Sequence, residues 1–302
     1  MKDRSINRRA LLLLNPHARL GQKVRLQAIR YLEKLGFELI QESASKPKNL
    51  PQIIRQYGGQ IELVIIGSGD GTISAAIEGL LATQIPLGIL PLGTANNLAR
   101  TLEIPLSLSK ACNIIANGKT RRIDLGCLNG KYFLNVAGLG LSTAINQQVT
   151  KEFKQRWGIL AYIITALKVG CQVRPFEVEI RWDNQSIQTK TRQVTVCNGR
   201  YYGSGLIVAK DAAIDDQRLD LYSLEIQNWW EIFTLLPALM RGNYVNCRGI
   251  RTLQGTKFEL YTPKPCPMDI DGEAIPLCGC CCTAQTPAHF HLMPQALSVF
   301  VP

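Results

Sequence analysis

Through the first 125 residues, short apolar runs alternate with segments whose apolar residues recur at helical spacing. The pattern predicts strands at residues 11–14, 37–40, 63–66 and 85–90, and helices at residues 23–35, 50–57, 73–81 and 96–102. Strands separated by helices are typical of a parallel α/β sheet with helices on its faces. We therefore predict an α/β domain over residues 1–125.

After residue 125 the pattern changes to short strands. Phe176, Val178, Ile180 and Trp182 alternate with charged residues, which is the period of a strand with one buried face. Further strands are predicted at residues 194–197, 219–224, 257–261 and 297–301, and helices at residues 157–168 and 229–240. We predict a mostly antiparallel β-sandwich over residues 126–302, whose last strand could pack back on the first domain.

The most informative turn is Gly67-Ser68-Gly69-Asp70-Gly71-Thr72, between a predicted buried strand and a predicted helix. Such a turn brings backbone N–H groups together around a phosphate, and its glycines allow a close approach. A carboxylate at Asp70 would repel phosphate unless a cation or a water lies between them. This favours phosphoryl transfer, with Asp70 reaching Mg²⁺ and Thr72 turning its hydroxyl and N–H to the phosphate.

Two other polar segments come directly after predicted strands. Asn15 follows the first apolar run, and Gly93-Thr94 follows the run that ends at Leu90. Ligands of parallel α/β sheets bind at the carboxyl ends of the strands. We therefore expect Asn15, the 67–72 turn and Gly93-Thr94 to form one nucleotide-binding rim.

Five segments in this order resemble a known family, the diacylglycerol kinase catalytic domain of bacterial YegS/DgkB-type lipid kinases, which is related to sphingosine kinases. They are Asn15-Pro16, the 67–72 turn, residues 91–99 (PLGTANNLA), Asn198-Gly199 with Gly203 and Gly205, and Asp269-Ile270-Asp271-Gly272-Glu273. The resemblance implies a phosphofructokinase- and NAD-kinase-like α/β domain, a β-sandwich domain, and phosphorylation of a lipid hydroxyl by ATP with Mg²⁺.

The resemblance also implies roles for individual residues. ATP would bind at the rim, with a further contact from Ser43, although the alignment also allows Ser45 or Ala44. The catalytic base would be Asp271 or Glu273, because a carboxylate must accept the proton of the attacking hydroxyl. A structural Mg²⁺ would take a carboxylate of Asp216 and the backbone carbonyls of Ala213 and Arg218.

The chain departs from the family pattern at three places. Ser68 replaces the first glycine of the usual Gly-Gly-Asp-Gly-Thr, as in sphingosine-kinase-like relatives, which bears on the choice of lipid. Ser74-Ala75 replaces the usual Asn-Glu, and Gln217 replaces the glycine of the metal loop. These changes are the support for a nucleotide- or lipid-binding regulator without turnover, while an NAD kinase is the alternative enzyme. The segments typical of NAD kinases and phosphofructokinases are missing.

Charge and apolar length bear on the partners. A net charge of +11 and a pI near 9.2 favour an anionic partner, but no DNA-binding motif accompanies the charge. No apolar run reaches the ~20 residues of a membrane span. We expect a cytoplasmic protein. The basic stretch 151–174 is either a contact with the membrane surface or a helix that packs on the sandwich with a solvated charged end. A homodimer is an open alternative to a monomer.

Ten cysteines include four in the sequence Cys278-Gly279-Cys280-Cys281-Cys282. Cys278 and Cys281 have CxxC spacing, but no second ligand pair completes a zinc site. An irregular strand with reduced thiols is the expectation. His17, His289 and His291 are isolated, and we interpret them as structural.

Overall fold

The computed structural model describes residues 8–15, 21–141, 143–144, 174–202, 206–207, 213–231, 235, 247–275 and 287–302. The chain divides into two compact units. The first unit is Met1–Ile123 with Gln295–Pro302, and the second unit is Asp124–Pro294. Two strands, β5 (Thr120–Leu128) and β18 (Ala288–Phe300), each contain residues of both units.

The first unit is a parallel sheet with helices between its strands. Its elements are β1 (Arg8–Leu14), α1 (Gly21–Lys34), β2 (Phe37–Ser43), α2 (Leu50–Tyr57), β3 (Leu63–Ser68), α3 (Asp70–Thr83), β4 (Leu87–Pro91), α4 (Asn97–Thr101) and α5 (Leu108–Asn117). The strand order is β2-β1-β3-β4, followed by the end of β18, where Val299 pairs with Leu87. The last strand therefore joins the first unit.

Burial explains why these strands are apolar runs rather than alternating patterns. All six residues of β3 and all five of β4 are buried, as a parallel sheet covered on both faces requires. The α5 helix was missed by the sequence analysis, although Ala111, Cys112, Ile114 and Ile115 form its buried face. Its helical spacing could have revealed it.

The second unit is built from antiparallel strands. They are β6 (Lys131–Phe133), β7 (Val136–Gly140), β8 (Phe176–Trp182), β9 (Gln185–Thr191), β10 (Gln193–Cys197), β11 (Tyr201–Tyr202), β12 (Leu206–Ile207), β13 (Leu219–Leu224), β14 (Ile250–Gly255), β15 (Lys257–Tyr261), β16 (Met268–Ile270) and β17 (Glu273–Ala274). One sheet has the order β14-β13-β10-β7-β16-β17. In the other, the start of β18 pairs with β15, and the order continues through β8 to β9.

An apolar cluster joins the two sets of strands in the second unit. One sheet contributes Leu139, Val196 and Leu221, and the other contributes Phe133, Phe258 and Phe290, all fully buried. The Phe133 and Phe290 rings meet edge to face, with centroids 6.4 Å apart. The expected α/β domain followed by an antiparallel sandwich is confirmed.

Some expectations fall outside the described residues. These are the 157–168 helix, most of the 229–240 helix, the basic stretch 151–173, His17 and the Cys278–Cys282 cluster. Of the 229–240 segment, Trp229–Glu231 forms a 3-10 turn. No helix in the described part of the chain is long and apolar enough to cross a membrane.

Candidate active site

The carboxyl ends of the parallel strands lie level with one another. Leu14 pairs with both Ser43 and Gly67, and Ser68 pairs with Pro91 on the other side. The Asn15 N–H donates to the Gly67 carbonyl at 3.3 Å. The register therefore brings Asn15, the 67–72 turn and the turn after Pro91 to the same edge of the sheet.

The two glycine turns touch through their backbones. A Cβ placed on Gly93 would lie 2.3 Å from the Gly69 Cα, and a Cβ on Gly69 would lie 3.2 Å from the Gly93 Cα. A Cβ on Gly67 would lie 2.3 Å from the Leu14 side chain. The backbone overlap at Gly93 means that this glycine is required by packing inside the first unit, in addition to the expected approach of a ligand. Gly71 and Thr94 are the exposed members of the two turns.

Asp70 connects the two turns. Its Oδ2 accepts the Asn97 N–H at 2.9 Å and its Oδ1 accepts the Leu98 N–H at 3.0 Å, so the carboxylate caps the start of α4. Burial raises the pKa of Asp70, while those two N–H groups and the charge of Arg100 act in the opposite direction. These two partners of Asp70 are backbone groups 27 and 28 residues away, and its expected role towards a cation stays a prediction.

Asn96 shapes the second turn, and the sequence analysis missed it. Its backbone is left-handed, with φ of 51°, and its Oδ1 accepts the Gly93 N–H at 2.9 Å while its Nδ2 donates to the Gly93 carbonyl at 2.9 Å. Asparagine tolerates the left-handed region better than most residues. An asparagine two residues after a Gly-Thr pair is the signal that could have identified this residue.

The remaining rim hydroxyls have defined positions. The Ser68 and Thr72 hydroxyls are 2.6 Å apart and both side chains are buried, so Thr72 faces Ser68 within the turn. Ser43 is exposed, and its Oγ accepts the Ser45 N–H at 3.3 Å. Ala44 is fully buried, which leaves Ser43 and Ser45 as the two accessible candidates of that segment.

In the second unit, Asp271 is surrounded by backbone donors. Its Oδ2 accepts the Leu134 N–H at 2.9 Å, and its Oδ1 accepts the N–H groups of Asn135 at 2.9 Å and Val136 at 3.1 Å. Asp271 and Gly272 are both left-handed, with φ of 49° and 84°. The turn therefore separates Asp271, which is held by the 134–136 segment, from Glu273, which is exposed.

Asn198 supports the segment that holds Asp271. Its Nδ2 donates to the carbonyls of Leu134 at 2.9 Å and Asp124 at 3.0 Å, and its N–H donates to the Asn135 carbonyl at 2.8 Å. Asn198 is fully buried, so these bonds replace water. In the sequence Asn198 is visible only as part of the resemblance, and nothing there points to Asn135 as its partner.

The predicted metal ligands Ala213, Asp216 and Arg218 lie in one loop before β13. The loop is closed by a hydrogen bond from the Asp216 N–H to the Ala213 carbonyl at 3.4 Å. Burial raises the pKa of Asp216, and the nearby Asp124 acts in the same direction, whereas the Ala213 N–H and the Arg218 charge lower it. Within the described residues, no three His, Cys, Asp or Glu side chains are arranged to hold a metal ion.

Comparison with known families identifies two domains in the chain. Residues 9–128 match the family "Diacylglycerol kinase catalytic domain", and residues 135–301 match the family "YegS C-terminal NAD kinase beta sandwich-like domain". The chain belongs to the diacylglycerol kinase family of lipid kinases. It is therefore an enzyme of the transferase class, and the identification from sequence motifs is confirmed.

Individual relatives of this lipid kinase cover most of its length. It is 29% identical to a diacylglycerol kinase of Bacillus subtilis (strain 168), over 88% of this chain and 90% of the relative. It is 35% identical to a protein of Enterobacter sp. (strain 638) named "Probable lipid kinase YegS-like", over 80% and 79% of the two chains. Both similarities span the two units.

A solved structure shares the fold. A crystal structure described as that of a diacylglycerol kinase from Bacillus anthracis str. Sterne has a TM-score of 0.74 and 20% identity, covering 98% of this chain and 97% of that one. At this identity the similarity supports the fold of the lipid kinase and not its substrate.

Proposed function

We propose that the enzyme transfers the γ-phosphate of ATP to the hydroxyl of diacylglycerol or a similar lipid. The observation that carries the proposal is the pair of glycine turns, which pack backbone to backbone and are tied together by Asp70. The first of these turns continues into α3, a 14-residue helix. The arrangement supports phosphate binding in a chain whose family consists of lipid kinases.

The start of α3 is the part of the site suited to phosphate. The first N–H groups of a helix have no acceptor within it, and the helix dipole favours negative charge there. Gly69 precedes the helix in an extended conformation, and the exposed Gly71 lies in its first turn. We propose that ATP contacts Asn15, Ser43, the 67–72 turn, Gly93 and Thr94, with Gly71 and Thr94 nearest the phosphates.

Asp70 has two tasks in this proposal. Its carboxylate holds α4 against the glycine turn, and its remaining lone pairs can meet a hydrated Mg²⁺, since a carboxylate has about four acceptor positions. Mg²⁺ bound with ATP would offset charge on the phosphate oxygens during transfer. The Ser68–Thr72 pair contributes by fixing the turn.

Glu273 is the proposed base, and Asp271 is a positioning residue. The Asp271 carboxylate accepts three backbone N–H groups. These hydrogen bonds hold Asp271 in place and thereby fix the turn at Gly272. Glu273 is exposed and can receive a proton. The lipid hydroxyl oxygen would bond to the γ-phosphorus while its proton passes to Glu273, and the bond to the bridging oxygen would break to release ADP.

A transfer assay with several acceptors tests the proposal. The purified full chain is incubated with γ-labelled ATP and Mg²⁺, separately with diacylglycerol, a sphingoid base, a polyprenol, NAD or no acceptor. We expect label in diacylglycerol or another of the lipids. Label in NAD alone would overturn the lipid-kinase proposal, and ATP binding without transfer to any acceptor would favour a regulator.

We also propose that the enzyme works in the cytoplasm at the membrane surface, where its lipid substrate is found. The net charge of +11 supports attraction to anionic lipid, at about 1 kcal/mol per basic residue near the surface. Presenting diacylglycerol in neutral and in anionic vesicles tests this directly. Equal rates on both vesicles would contradict it. Sedimentation of the same preparation distinguishes a monomer from the proposed alternative, a homodimer.

A further inference from the structure

The loop before β13 contains a positive side chain among its acidic ones. The Arg218 Nε lies 2.9 Å from the Asp216 Oδ2 and 3.9 Å from the Asp220 Oδ2. The side chains of Arg218, Asp216 and Asp220 are 35%, 22% and 7% exposed, so the three charges are largely removed from water. A carboxylate that is largely removed from water is costly unless a positive charge lies close to it. Asp216 and Asp220 therefore need a nearby positive group.

Both carboxylate oxygens of Asp216 accept hydrogen bonds from backbone groups of the same loop. Its Oδ2 accepts the Ala213 N–H at 3.3 Å, and its Oδ1 accepts the Arg218 N–H at 3.3 Å. The Arg218 guanidinium lies on the same Oδ2 that receives the Ala213 N–H. Of these partners only the Arg218 guanidinium carries a full positive charge, so it stands where a cation bound to this carboxylate would stand.

Neighbouring residues fix the loop in this conformation. The Asp124 Oδ2 accepts the Gln217 N–H at 2.7 Å, and the Asp124 N–H donates to the Ile214 carbonyl at 2.8 Å. Gln217 is left-handed, with φ of 59°, at the position where the family usually has glycine. The loop therefore keeps its shape through hydrogen bonds to Asp124 and through the charge of Arg218.

We propose that the Arg218 guanidinium takes the place of a divalent cation in this loop, so that the second unit folds without Mg²⁺ there. The residues do not fit the structural Mg²⁺ that the resemblance implies. Mg²⁺ requires oxygen ligands at about 2.0–2.1 Å in near-octahedral geometry. An ion bound to the Asp216 Oδ2 would meet a guanidinium on the same oxygen, and the two positive charges would repel each other.

Thermal unfolding of the full chain without nucleotide tests this proposal. For the unchanged protein, we expect the melting temperature to be the same in EDTA and in millimolar Mg²⁺. In Arg218→Leu, the carboxylates of Asp216 and Asp220 lose their counter-charge. This variant should melt at a lower temperature in EDTA and recover roughly 2–4 °C or more when Mg²⁺ is added, because binding to the folded state stabilises it.

The matched control is Arg251→Leu in the same unit. Arg251 pairs with Glu225 at 2.7 Å, and the two side chains are 37% and 17% exposed, close to the exposure of the Arg218–Asp216 pair. This control should lose stability without responding to Mg²⁺. Arg218→Lys keeps the positive charge and should behave as the unchanged protein. If Arg218→Leu does not fold, the Arg218→Lys variant still tests whether a positive charge at this position removes the response to Mg²⁺.

Two results would overturn the proposal. One is a Mg²⁺-dependent rise in the melting temperature of the unchanged protein that Arg218→Leu does not alter. The other is an equal response to Mg²⁺ in Arg218→Leu and Arg251→Leu. The proposal concerns the stability of the second unit and does not depend on kinase activity, so its failure would leave the proposed reaction unaffected.

Discussion

At the scale of the residue, Asp70 and Asp271 have the same structural role, each in its own unit. Each is followed by glycine, and each carboxylate accepts consecutive backbone N–H groups from a distant segment. Hydrogen bonds to a charged acceptor contribute more than neutral ones, about 1.5–3 kcal/mol. The sequence marks both aspartates as candidates for catalysis or metal binding. It does not show their structural role, because the segments that they hold are far away in the chain.

Removing the Asp70 carboxylate should reduce stability as well as activity. In Asp70→Ala, the N–H groups of Asn97 and Leu98 lose their acceptor, at a cost of about 1–3 kcal/mol for each group left unsatisfied. We expect lower turnover together with a lower melting temperature. Glu78→Ala removes an exposed carboxylate from the same helix and should leave both unchanged. An unaltered melting temperature in Asp70→Ala would show that the cap does not stabilise the turns.

The two carboxylates of the second unit should respond differently to substitution. Glu273→Gln should lower kcat by about 10²–10⁴-fold, the usual contribution of a general base, without changing the melting temperature. Asp271→Asn should lower the melting temperature, because an amide group replaces one acceptor of the N–H groups of residues 134–136. Turnover and thermal unfolding of both variants test this. Near-normal turnover in Glu273→Gln would exclude it as the base.

At the scale of the element, helices and strands that match their local pattern were predicted well. The α2 helix and the β8, β13 and β15 strands have the predicted limits. The last strand is longer than predicted, at Ala288–Phe300, because its first part has polar residues on its exposed face. The predicted 73–81 helix begins earlier, at Asp70, because the glycine turn continues directly into it.

Contact between the two glycine turns leads to a prediction about Gly93. In Gly93→Ala the new methyl group would overlap the Gly69 backbone, at 2.3 Å from its Cα, so the two turns must separate. We expect weaker ATP binding in calorimetry and a lower melting temperature. Gly59→Ala, at a glycine with nothing within 4 Å of the added Cβ, is the control and should change neither. If Gly93→Ala binds ATP as tightly as the unchanged protein, close packing of the turns is not required for the site.

At the scale of the whole molecule, buried thiols in both units make stability depend on alkaline pH. Burial raises the pKa of Cys112 to about 12 and that of Cys266 to about 11, from an ordinary value of 9.0. The unfolded chain loses these protons near pH 9, whereas the folded chain keeps them. Their contribution to stability is therefore complete below about pH 9 and is lost as the pH rises towards 11 and 12.

Urea unfolding at pH 8 and at pH 10.5 measures this dependence. The free energy of unfolding should be lower at pH 10.5. In Cys112→Ala the difference between the two pH values should be smaller, whatever the variant's stability at pH 8. An equal difference in the variant and in the unchanged protein would mean that the Cys112 thiol does not contribute.

The sequence by itself determined the two fold classes, the family and the turns that form the candidate site. It could do so because strand and helix periodicities and a Gly-Ser-Gly-Asp-Gly-Thr turn are properties of neighbouring residues. Only the tertiary structure decided which carboxylates accept backbone N–H groups. It also decided that Gly93 packs against Gly69 and that the Arg218 guanidinium lies beside the Asp216 carboxylate. Those contacts join residues that are distant in the chain or depend on loop geometry, and such pairings leave no periodic trace in the sequence.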